Sequence, residues 1–306
     1  MNLRDLEYAL ALDRFGHFSR AALACDVSQP TLSGQIRKLE GDLGVTIFER
    51  DGRTVRVTPV GRTILDLARS AVGAAEDIRR AAEASRDPLV GALRVGMIPT
   101  LAPYLLPYLL PIARKRLKAM PLTIVEEQTE VLTARVAAGE IEAALLATAP
   151  AGDGLVEVPL FDEPLVLAIP AAHALAKKVS VEAQDLNVDT VLLLAGGNCL
   201  REQTLALCNR AQAALSTGSD LRATNLETLL NLVEAGYGVT VLPALALEAS
   251  RIKSGRLVTR PFRTDNVRRR VRLVYRRFAP RQQGFAALAE TIRAALPRSA
   301  RGWICT

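Results

Sequence analysis

The chain has 306 residues, of which 49% are hydrophobic and 23% charged, and its formal net charge is +7. This length predicts two or three domains rather than a single core. The composition is that of a soluble globular protein, and the charges near the N-terminus predict no signal peptide. The most apolar stretch, residues 101–113, is too short and too proline-rich to span a bilayer. We therefore expect a cytoplasmic protein without membrane association, with its four cysteines kept as thiols.

The positive charge is concentrated towards the C-terminus. Residues 1–62 contain 9 Lys and Arg against 8 Asp and Glu, a net of +1, whereas residues 251–306 contain 15 against 2, a net of +13. A solvated basic face is one interpretation of this run, and pairing with an acidic surface or with DNA phosphates is the other. The overall charge is therefore not evidence for DNA binding.

The first 25 residues predict two helices. An apolar face over residues 3–12 indicates a first helix that ends near Gly16. Ser19 is placed to cap a short second helix over residues 20–25. The segment that follows, from Val27 to Pro30, predicts a turn, because proline suits the first turn of a new helix.

The third helix, predicted over residues 31–43, is amphipathic. Its apolar positions, which we expect to be buried, are Leu32, Ile36, Leu39 and Leu43. A short helix, a tight turn and a helix with a polar, cationic outer face form the helix-turn-helix arrangement, whose second helix enters the major groove. The residues predicted to contact DNA are Ser28, Gln29, Pro30, Thr31, Ser33, Gln35, Arg37 and Lys38.

A β-hairpin is predicted next. Two β-like runs, residues 46–50 and 54–58, flank Asp51-Gly52, which is a strong hairpin signal. Such a hairpin would form a wing, and its phosphate contacts would position the domain while base contacts specify the site. The arginines available to phosphates are Arg50, Arg53 and Arg56.

A long helix is predicted from Pro59 to about Asp87, and Pro88 marks its end. Its apolar residues alternate in steps of four and three at Val60, Ile64, Leu67, Ala71, Ala74, Ile78 and Ala81. This heptad pattern favours a helix pair that joins two subunits, and a helix packed on its own domain is the alternative. A dimer would read a roughly palindromic DNA site.

From Ala92 onward, predicted strands alternate with predicted helices, which favours an α/β domain with mainly parallel sheets. The strands are expected over residues 93–97, 122–126, 143–146, 165–169 and 190–194, and the helices over 104–118 and 131–138. No metal-ligand spacing, phosphate-binding loop or Ser-His-Asp arrangement stands out, so no cofactor is expected.

Two of the cysteines, Cys199 and Cys208, lie nine residues apart in a segment that predicts a helix beginning near Cys199. Nine residues span about 13 Å along a helix axis. A disulfide tolerates a Cα separation of about 7 Å at most. The two thiols could therefore join only if the helix unwinds, which is the logic of a redox switch.

The stretch from Leu3 to Arg62 resembles the winged helix-turn-helix of LysR-type transcriptional regulators, through FSRAALACDVSQPTLSGQIRKLEGDLGVTIFER and VTPVGR. The segment EAGYGVTVLP, residues 234–243, is similar to a signature of their effector domains. The resemblance implies an N-terminal all-α winged helix-turn-helix with a long linker helix and a periplasmic-binding-protein-like α/β effector domain of two subdomains. It also implies double-stranded DNA and RNA polymerase as partners, and a homodimer or homotetramer.

The implied domain organisation has four parts. They are a DNA-binding domain over residues 1–58, a linker and dimerisation helix over 59–87, effector subdomain I over 88–162 and 268–300, and effector subdomain II, with the redox cysteines, over 163–267.

Within the LysR type, the cysteine spacing resembles the OxyR-type peroxide sensors, as do the run TLAPYLLP at residues 100–107 and the segment EEQT at 126–129. The resemblance implies a regulator of the oxidative stress response that hydrogen peroxide activates. Cys199 would be the peroxidatic thiol, which becomes a sulfenic acid, and Cys208 the resolving thiol, which closes a reversible disulfide. The implied peroxide-pocket residues are Thr100, Thr129, Asn198 and Glu202.

Two positions depart from the OxyR-type pattern: Asn198 stands where histidine is usual, and Glu202 where aspartate is usual. Asparagine cannot accept a proton at neutral pH, so we expect a slower or differently tuned sensor. A regulator of LysR type that binds an organic effector in its cleft, a peroxide-insensitive relative and a thiol peroxidase are the alternatives. A peroxidase would not need a winged helix-turn-helix. Cys305 lies in a C-terminal tail that we expect to be disordered.

Overall fold

The structure is a computed structural model of the single chain. It describes residues 1–51, 54–84, 87, 89–150, 153–186, 190–208, 223, 225–248, 256–264 and 266–305. The chain divides into two compact units, Met1–Ser85 with Ala138–Glu140 and Arg86–Ala137 with Ile141–Thr306. In the part of the chain described, no helix is both long and apolar enough to cross a membrane.

The first unit begins with two helices, α1 (Leu3–Phe15) and α2 (Phe18–Ala24). Helix α1 ends at Gly16, as predicted, because this residue takes a left-handed conformation with φ of 60°. Helix α2 is capped by His17, whose ring nitrogen accepts a hydrogen bond of 3.2 Å from the Ser19 N–H. The prediction that Ser19 is the cap was wrong, because the imidazole supplies the acceptor two residues earlier.

Helix α3 (Gln29–Leu43) starts two residues before its predicted beginning, because Ser28 is its N-cap. Leu32, Ile36 and Leu39 are fully buried, as predicted. Leu43 is 36% exposed, so its predicted burial was wrong. It lies in the last turn of the helix, where the chain turns away at Gly44 in a left-handed conformation.

The predicted hairpin is formed by β1 (Phe48–Asp51) and β2 (Thr54–Val57), which pair antiparallel. The Glu40 carboxylate on α3 accepts hydrogen bonds from the backbone N–H groups of Ile47 and Phe48, at 2.8 and 3.0 Å. The wing is thereby fixed to α3, the helix predicted to contact DNA.

The long helix α4 (Pro59–Ala84) has two apolar sides. Leu65 and Ala68 are buried in the core of the first unit. Val60, Leu67 and Ile78, three of the predicted heptad positions, are 46%, 66% and 72% exposed. Ile64, a further heptad position, is half-buried and packs on the core of its own unit. The heptad pattern is therefore shared between an exposed stripe and the packed side of the helix. The helix was predicted to reach Asp87, and Pro88 lies outside the described residues.

The second unit contains a mixed sheet. Its strands are β3 (Leu93–Met97), β4 (Leu122–Glu126), β5 (Ala143–Leu146), β6 (Leu155–Pro170), β7 (Thr240–Pro243), β8 (Leu257–Pro261) and β9 (Arg268–Arg276). Their order is β4-β3-β5-β9-β6-β7, with β8 also on β6. Strand β3 pairs in parallel with β4 and β5, whereas the ladders of β6 and β9 are antiparallel. The prediction of mainly parallel sheets was wrong, because these two long strands return through the sheet in the opposite direction.

The prediction of a strand over residues 190–194 was also wrong in part. Val191 and Leu194 form only isolated bridges, to Val239 and Ala223. The α-helices of this unit among the described residues are α5 (Ala102–Arg116), α6 (Thr129–Ala137), α7 (Cys199–Leu207), α8 (Leu226–Glu234) and α9 (Gln282–Ala295).

Strand β6 crosses from one part of the sheet to the other. Residues 155–164 pair with β9, and residues 165–170 pair with β7 and β8. The partners change at Pro164 and Leu165, opposite the start of β9 at Arg268. The proposed subdomain boundaries, 162/163 and 267/268, fall beside this crossover, and as domain limits they remain predictions.

Arginines of the C-terminal region pair with acidic residues of the same unit. Arg270 makes two hydrogen bonds to Asp162, at 2.8 and 2.9 Å, and holds the pKa of that carboxyl below its usual range. Further pairs are Arg269–Glu163, Arg272–Glu157, Arg281–Glu142 and Arg263–Glu182. Much of the local charge excess is thus balanced within the unit.

The C-terminal tail packs on β6 as far as Cys305, so the expectation that it is disordered was wrong. Ile304 forms a bridge with Phe161, and the Cys305 N–H donates to the Leu160 carbonyl at 3.1 Å. Leu160 lies at a register irregularity of β6 and lacks a partner on β9, which leaves its carbonyl available to the tail. Burial raises the pKa of the Cys305 thiol.

Candidate redox site and DNA-binding surface

Helix α7 places the two cysteines at its opposite ends. It begins at Cys199, as predicted, and ends at Leu207 with Cys208 as its C-cap. Both cysteines are thiols in this structure. The axial rise between them is about 13 Å while the helix is intact. A disulfide between them therefore requires α7 to unwind.

Cys199 lines a cavity of about 660 Å³. Three further predicted site residues, Thr129, Asn198 and Glu202, line the same cavity. The other described residues around it are mainly small, namely Glu130, Thr133, Ala134, Ala137, Thr148, Ala149 and Gly197. The fold therefore brings together residues from the start of α6, the start of α7 and the segment after β5.

Two helices begin at this cavity, α6 at Thr129 and α7 at Cys199. The first N–H groups of a helix lack partners within the helix, and its N-terminus carries a partial positive charge. This arrangement favours an anion, such as a thiolate or the oxygen that leaves a peroxide. The carboxylates of Glu130 and Glu202 lie on the same cavity and oppose the binding of a permanently charged anion.

The hydroxyl of Thr129 is buried and has no hydrogen-bond partner among the described residues. A buried polar atom without a partner indicates a place for a small polar ligand or water. Asn198 is 6% exposed, and its side-chain N–H donates to the Ala195 carbonyl at 3.1 Å. The amide is thereby fixed at the cavity, but it offers no group that titrates near neutral pH.

Thr100 is held in a buried polar network. Its hydroxyl and its carbonyl accept hydrogen bonds of 2.8 and 2.9 Å from Arg269. Arg269 also pairs with Glu163, whose second oxygen accepts from the Leu245 N–H. Thr100 is not among the residues that line the 660 Å³ cavity. Its role in a peroxide pocket therefore stays a prediction.

Gln203, which the sequence analysis did not single out, connects α7 to the segment after β5, although it is not among the residues that line the cavity. Its side-chain N–H donates to the Ala147 carbonyl at 3.0 Å, and its side-chain oxygen is buried without a partner in the described structure. Arg201 similarly donates to the Leu194 carbonyl at 3.2 Å. Gln203 lies four residues after Cys199, on the same helical face, and this spacing was the signal that could have identified it.

Gly197 is required by the loop that precedes α7. Its φ is +85°, and a Cβ atom there would lie 2.1 Å from the side-chain oxygen of Gln128. Gln128 in turn donates to the Gly196 carbonyl at 3.4 Å. A side chain at position 197 would displace Gln128, the neighbour of Thr129, and would thus disturb the cavity.

The predicted DNA-contacting face of α3 is accessible in the first unit. Ser28, Gln29, Pro30, Thr31, Arg37 and Lys38 are exposed, and Ser33 and Gln35 are half-buried. On the wing, Arg56 is exposed, Arg50 lies in β1 with its side chain outside the described residues, and Arg53 is wholly outside them. Contacts between these residues and DNA remain predictions.

Two family models match the chain. Residues 3–62 match the bacterial regulatory helix-turn-helix protein model of the lysR family, and residues 86–297 match the LysR substrate binding domain. The chain belongs to the LysR family of transcription regulators. The family resemblance and the fold class expected from the sequence, an N-terminal helix-turn-helix domain followed by an α/β effector domain, are thereby confirmed.

Within the LysR family, the chain is similar to OxyR proteins and to hydrogen peroxide-inducible genes activators. The chain is 42% identical over 294 residues to the DNA-binding transcriptional dual regulator OxyR of Escherichia coli K12, covering 96% of this chain and 95% of that protein. It is 40% identical over 293 residues to the hydrogen peroxide-inducible genes activator of Dickeya chrysanthemi, covering 96% and 95%.

Solved structures agree with these relatives. A full-length OxyR from Pseudomonas aeruginosa, with a cysteine replaced by aspartate, has 37% identity and a TM-score of 0.79, covering 99% of this chain and 97% of that one. A cysteine-to-serine variant of Corynebacterium glutamicum OxyR, bound to hydrogen peroxide, has 34% identity and a TM-score of 0.65, covering 96% and 92%. The similarity therefore extends over both domains.

Proposed function

We propose that this protein is a regulator of the oxidative stress response that hydrogen peroxide activates through a reversible disulfide between Cys199 and Cys208. The observation that carries the proposal is the position of the two cysteines at opposite ends of α7. Cys199 lines a cavity beside the Thr129 hydroxyl, which has no hydrogen-bond partner among the described residues. The names of the relatives, which include hydrogen peroxide-inducible genes activators, support the response to hydrogen peroxide.

The chemistry proceeds in two steps. The Cys199 thiolate attacks one peroxide oxygen, an S–O bond forms, the O–O bond breaks, and the hydroxide that leaves takes a proton to become water. The N-termini of α6 and α7 stabilise the negative charge as it moves from sulfur to oxygen. The Cys208 thiol then attacks the sulfenic acid sulfur, a disulfide forms, and a second water leaves.

Closing the disulfide exchanges one local structure for another. Helix α7 has only nine residues and no side-chain hydrogen bond at its N-cap, so its stability depends on packing and on the tethers of Gln203 and Arg201. We propose that unwinding releases these tethers and remodels the chain around residues 199–220, of which 209–220 lie outside the described residues. We propose that this change alters how the effector domains pair and re-aims the DNA-binding domains.

The assembly that reads DNA is proposed to be a homodimer or homotetramer on a roughly palindromic site. The support is the exposed stripe of Val60, Leu67 and Ile78 on α4, which a second copy of the helix would cover. RNA polymerase is the further partner expected of such a regulator, and its place of action is the cytoplasm. No catalytic turnover is expected. Continuous consumption of peroxide with a thiol reductant would instead identify a thiol peroxidase.

The experiment that tests the proposal is peptide mapping by mass spectrometry. The reduced full-length protein is treated with stoichiometric hydrogen peroxide, and remaining thiols are alkylated. We expect a rapid Cys199–Cys208 disulfide, and only a sulfenic acid at Cys199 in the Cys208→Ser variant. Unreacted thiols in the wild type would contradict the proposal and favour an organic effector or a peroxide-insensitive regulator.

The asparagine at position 198, where histidine is usual, leads to a separate prediction. Asn198→His should raise the rate of Cys199 oxidation and add a dependence on pH near neutrality, because histidine titrates there and can accept the thiol proton. Stopped-flow measurement of oxidation between about pH 5 and pH 8 would detect both changes. An unchanged rate would show that Asn198 does not tune the sensor; Asn225→His, at the N-cap of α8, is a matched control.

A further inference from the structure

The side chain of Arg281 binds the backbone of residues 90–92. One guanidinium nitrogen donates to the carbonyls of Val90 and Gly91, both at 2.9 Å, and another donates to the Ala92 carbonyl at 2.9 Å. Arg281 is only 5% exposed. A single arginine thus holds three consecutive carbonyls, because the guanidinium group presents its N–H donors in a rigid plane.

The charge of Arg281 is balanced by Glu142, which is also buried. One carboxylate oxygen accepts from Arg281 at 3.2 Å, and the other accepts from the backbone N–H of Arg94 at 2.8 Å. Arg281 is the residue at which α9 begins, and Glu142 immediately precedes β5. The ion pair therefore connects residues 90–92 to a helix and to the sheet of the second unit.

Backbone hydrogen bonds hold the same segment. The Gly91 N–H donates to the Ala119 carbonyl at 2.8 Å, and the Leu93 N–H donates to the Pro121 carbonyl at 2.9 Å. Gly91 has a φ of +93°, which side-chain-bearing residues rarely adopt. Residues 90–93 are therefore firmly attached to the second unit.

The position of this attachment in the chain suggests its function. The chain passes from the first compact unit to the second between Ser85 and Arg86. Residues 86–92 are thus the covalent connection between the linker helix α4 and the sheet of the effector domain. A displacement of that domain reaches α4 through this connection only if the connection is rigid, since a loose segment would absorb the movement.

We propose that Arg281 is a positioning residue that couples the effector domain to the linker helix, an inference that rests on the proposed function. By holding residues 90–92, it makes α4 follow the rearrangement that accompanies the Cys199–Cys208 disulfide. Arg281 does not line the cavity at Cys199. Loosening its contacts should therefore leave disulfide formation intact and weaken only the response of the DNA-binding domains.

Two substitutions loosen the attachment in different ways. Arg281→Lys keeps a positive charge beside Glu142, but its three donors cannot hold the carboxylate and all three carbonyls together. Gly91→Ala strains the backbone of the same segment, although the added Cβ would meet no atom within 4 Å. Arg272→Lys is the matched control, since this arginine of the same unit pairs with Glu157 at 3.1 Å.

Each full-length variant is compared with the wild type in three measurements. Disulfide formation with hydrogen peroxide is followed by alkylation and mass spectrometry. Hydrogen exchange of residues 87–93 reports on the attachment itself. DNA affinity and the hydroxyl-radical footprint are measured for the reduced and oxidised forms, on a duplex that the wild type selects from a pool of random sequences.

We expect all four proteins to form the disulfide at the same rate. Exchange of residues 87–93 should be about tenfold faster in Arg281→Lys and Gly91→Ala, the effect of losing roughly one hydrogen bond. In the same two variants the ratio of the DNA Kd values of the two redox forms should approach one by about fivefold, and the footprints should become alike. Arg272→Lys should match the wild type in all three measurements.

A role in stability alone would speed hydrogen exchange and leave the redox dependence of DNA binding unchanged, and this result would overturn the inference. Unchanged exchange in both variants, or an equal loss of redox dependence in Arg272→Lys, would overturn it too. If the wild type formed no disulfide, or bound DNA identically in both redox forms, the proposed function would fail as well, so the two failures are distinguishable.

Discussion

Helices α3 and α7 carry the two predicted functions, DNA recognition and redox sensing, and they are stabilised in different ways. Helix α3 has 15 residues, a Ser28 cap that accepts from the Thr31 N–H, and a left-handed Gly44 at its end. Helix α7 has nine residues and no side-chain cap bond. Gln203 connects it to the Ala147 carbonyl, 56 residues away in the chain, and Arg201 to the Leu194 carbonyl in the preceding segment.

The difference indicates what each helix has to do. A recognition helix must keep one shape, and the capping groups of α3 are its immediate neighbours in sequence, so they act whenever the helix forms. A switch helix must be able to unfold within a folded domain. Stabilisation by tertiary contacts suits that need, because breaking a few contacts releases the helix without unfolding its neighbours.

The largest expected change in stability comes from Leu32→Ala in α3 and Leu200→Ala in α7. Each substitution truncates a buried leucine of one of the two helices. Leu32→Ala should lower the free energy of unfolding by about 3 kcal/mol in the reduced and oxidised protein alike. Leu200→Ala should cost about 3 kcal/mol in the reduced protein only, because α7 is unwound in the proposed disulfide form. Urea unfolding before and after oxidation measures both variants.

The same pair separates the two functions. Leu200→Ala should shift the Cys199–Cys208 equilibrium towards the disulfide in a glutathione titration, and Leu32→Ala should leave that equilibrium unchanged. An equal loss of stability in both redox forms of Leu200→Ala would mean that α7 stays folded in the disulfide form.

Gln203→Glu tests the external tether of α7. The carboxylate has nearly the same shape as the amide but cannot donate to the Ala147 carbonyl. Loss of one such hydrogen bond, worth about 1 kcal/mol, should speed conversion of the sulfenic acid to the disulfide by about fivefold. Stopped-flow measurement after a pulse of peroxide gives this rate. The control Gln283→Glu, at an exposed position on α9, should form the disulfide at the wild-type rate. If Gln203→Glu also reacted at the wild-type rate, the hydrogen bond from Gln203 to Ala147 would have no part in the mechanism.

Ser28→Ala should have the smallest effect. The cap bond is 3.3 Å long and exposed, so its loss should lower the free energy of unfolding of the first unit by only about 0.5 kcal/mol, the low end for such caps. Thermal unfolding without DNA would measure the loss, and Ser28→Asn, which keeps a capping oxygen, should restore stability. If the loss matched that of Leu32→Ala, α3 would depend on this one residue rather than on its packed face.

Local signals predicted the first unit well. Gly16 and Pro30 mark helix ends through their own backbone geometry, and the Asp51-Gly52 pair connects two strands that are adjacent in sequence. The errors were small and had physical reasons that are also local. His17 replaced Ser19 as a cap, and Leu43 fell at the turn where its helix ends.

The second unit was harder to predict because its contacts join residues far apart in the chain. Strand β9 lies between β5 and β6, a placement that no local pattern encodes. The C-terminal tail reaches β6 only because Leu160 has an unpaired carbonyl at an irregularity of that strand. Similarly, Tyr104 on α5 donates to Glu227 on α8, and burial, followed by this carboxylate, raises the pKa of the tyrosine above its ordinary range.

The sequence by itself determined that Cys199 and Cys208 stand at opposite ends of one helix, since helical rise depends only on the number of residues between them. It also determined the order of helices and wing in the first unit. Only the tertiary structure decided that Thr129 and Glu202 share a cavity with Cys199, that Arg269 holds Thr100, and that Gln203 reaches Ala147. These pairings join segments that are far apart in the chain and meet only when the sheet assembles. Burial of apolar surface drives that assembly, and it is not directional, so the sequence pattern alone does not tell which polar groups will become partners.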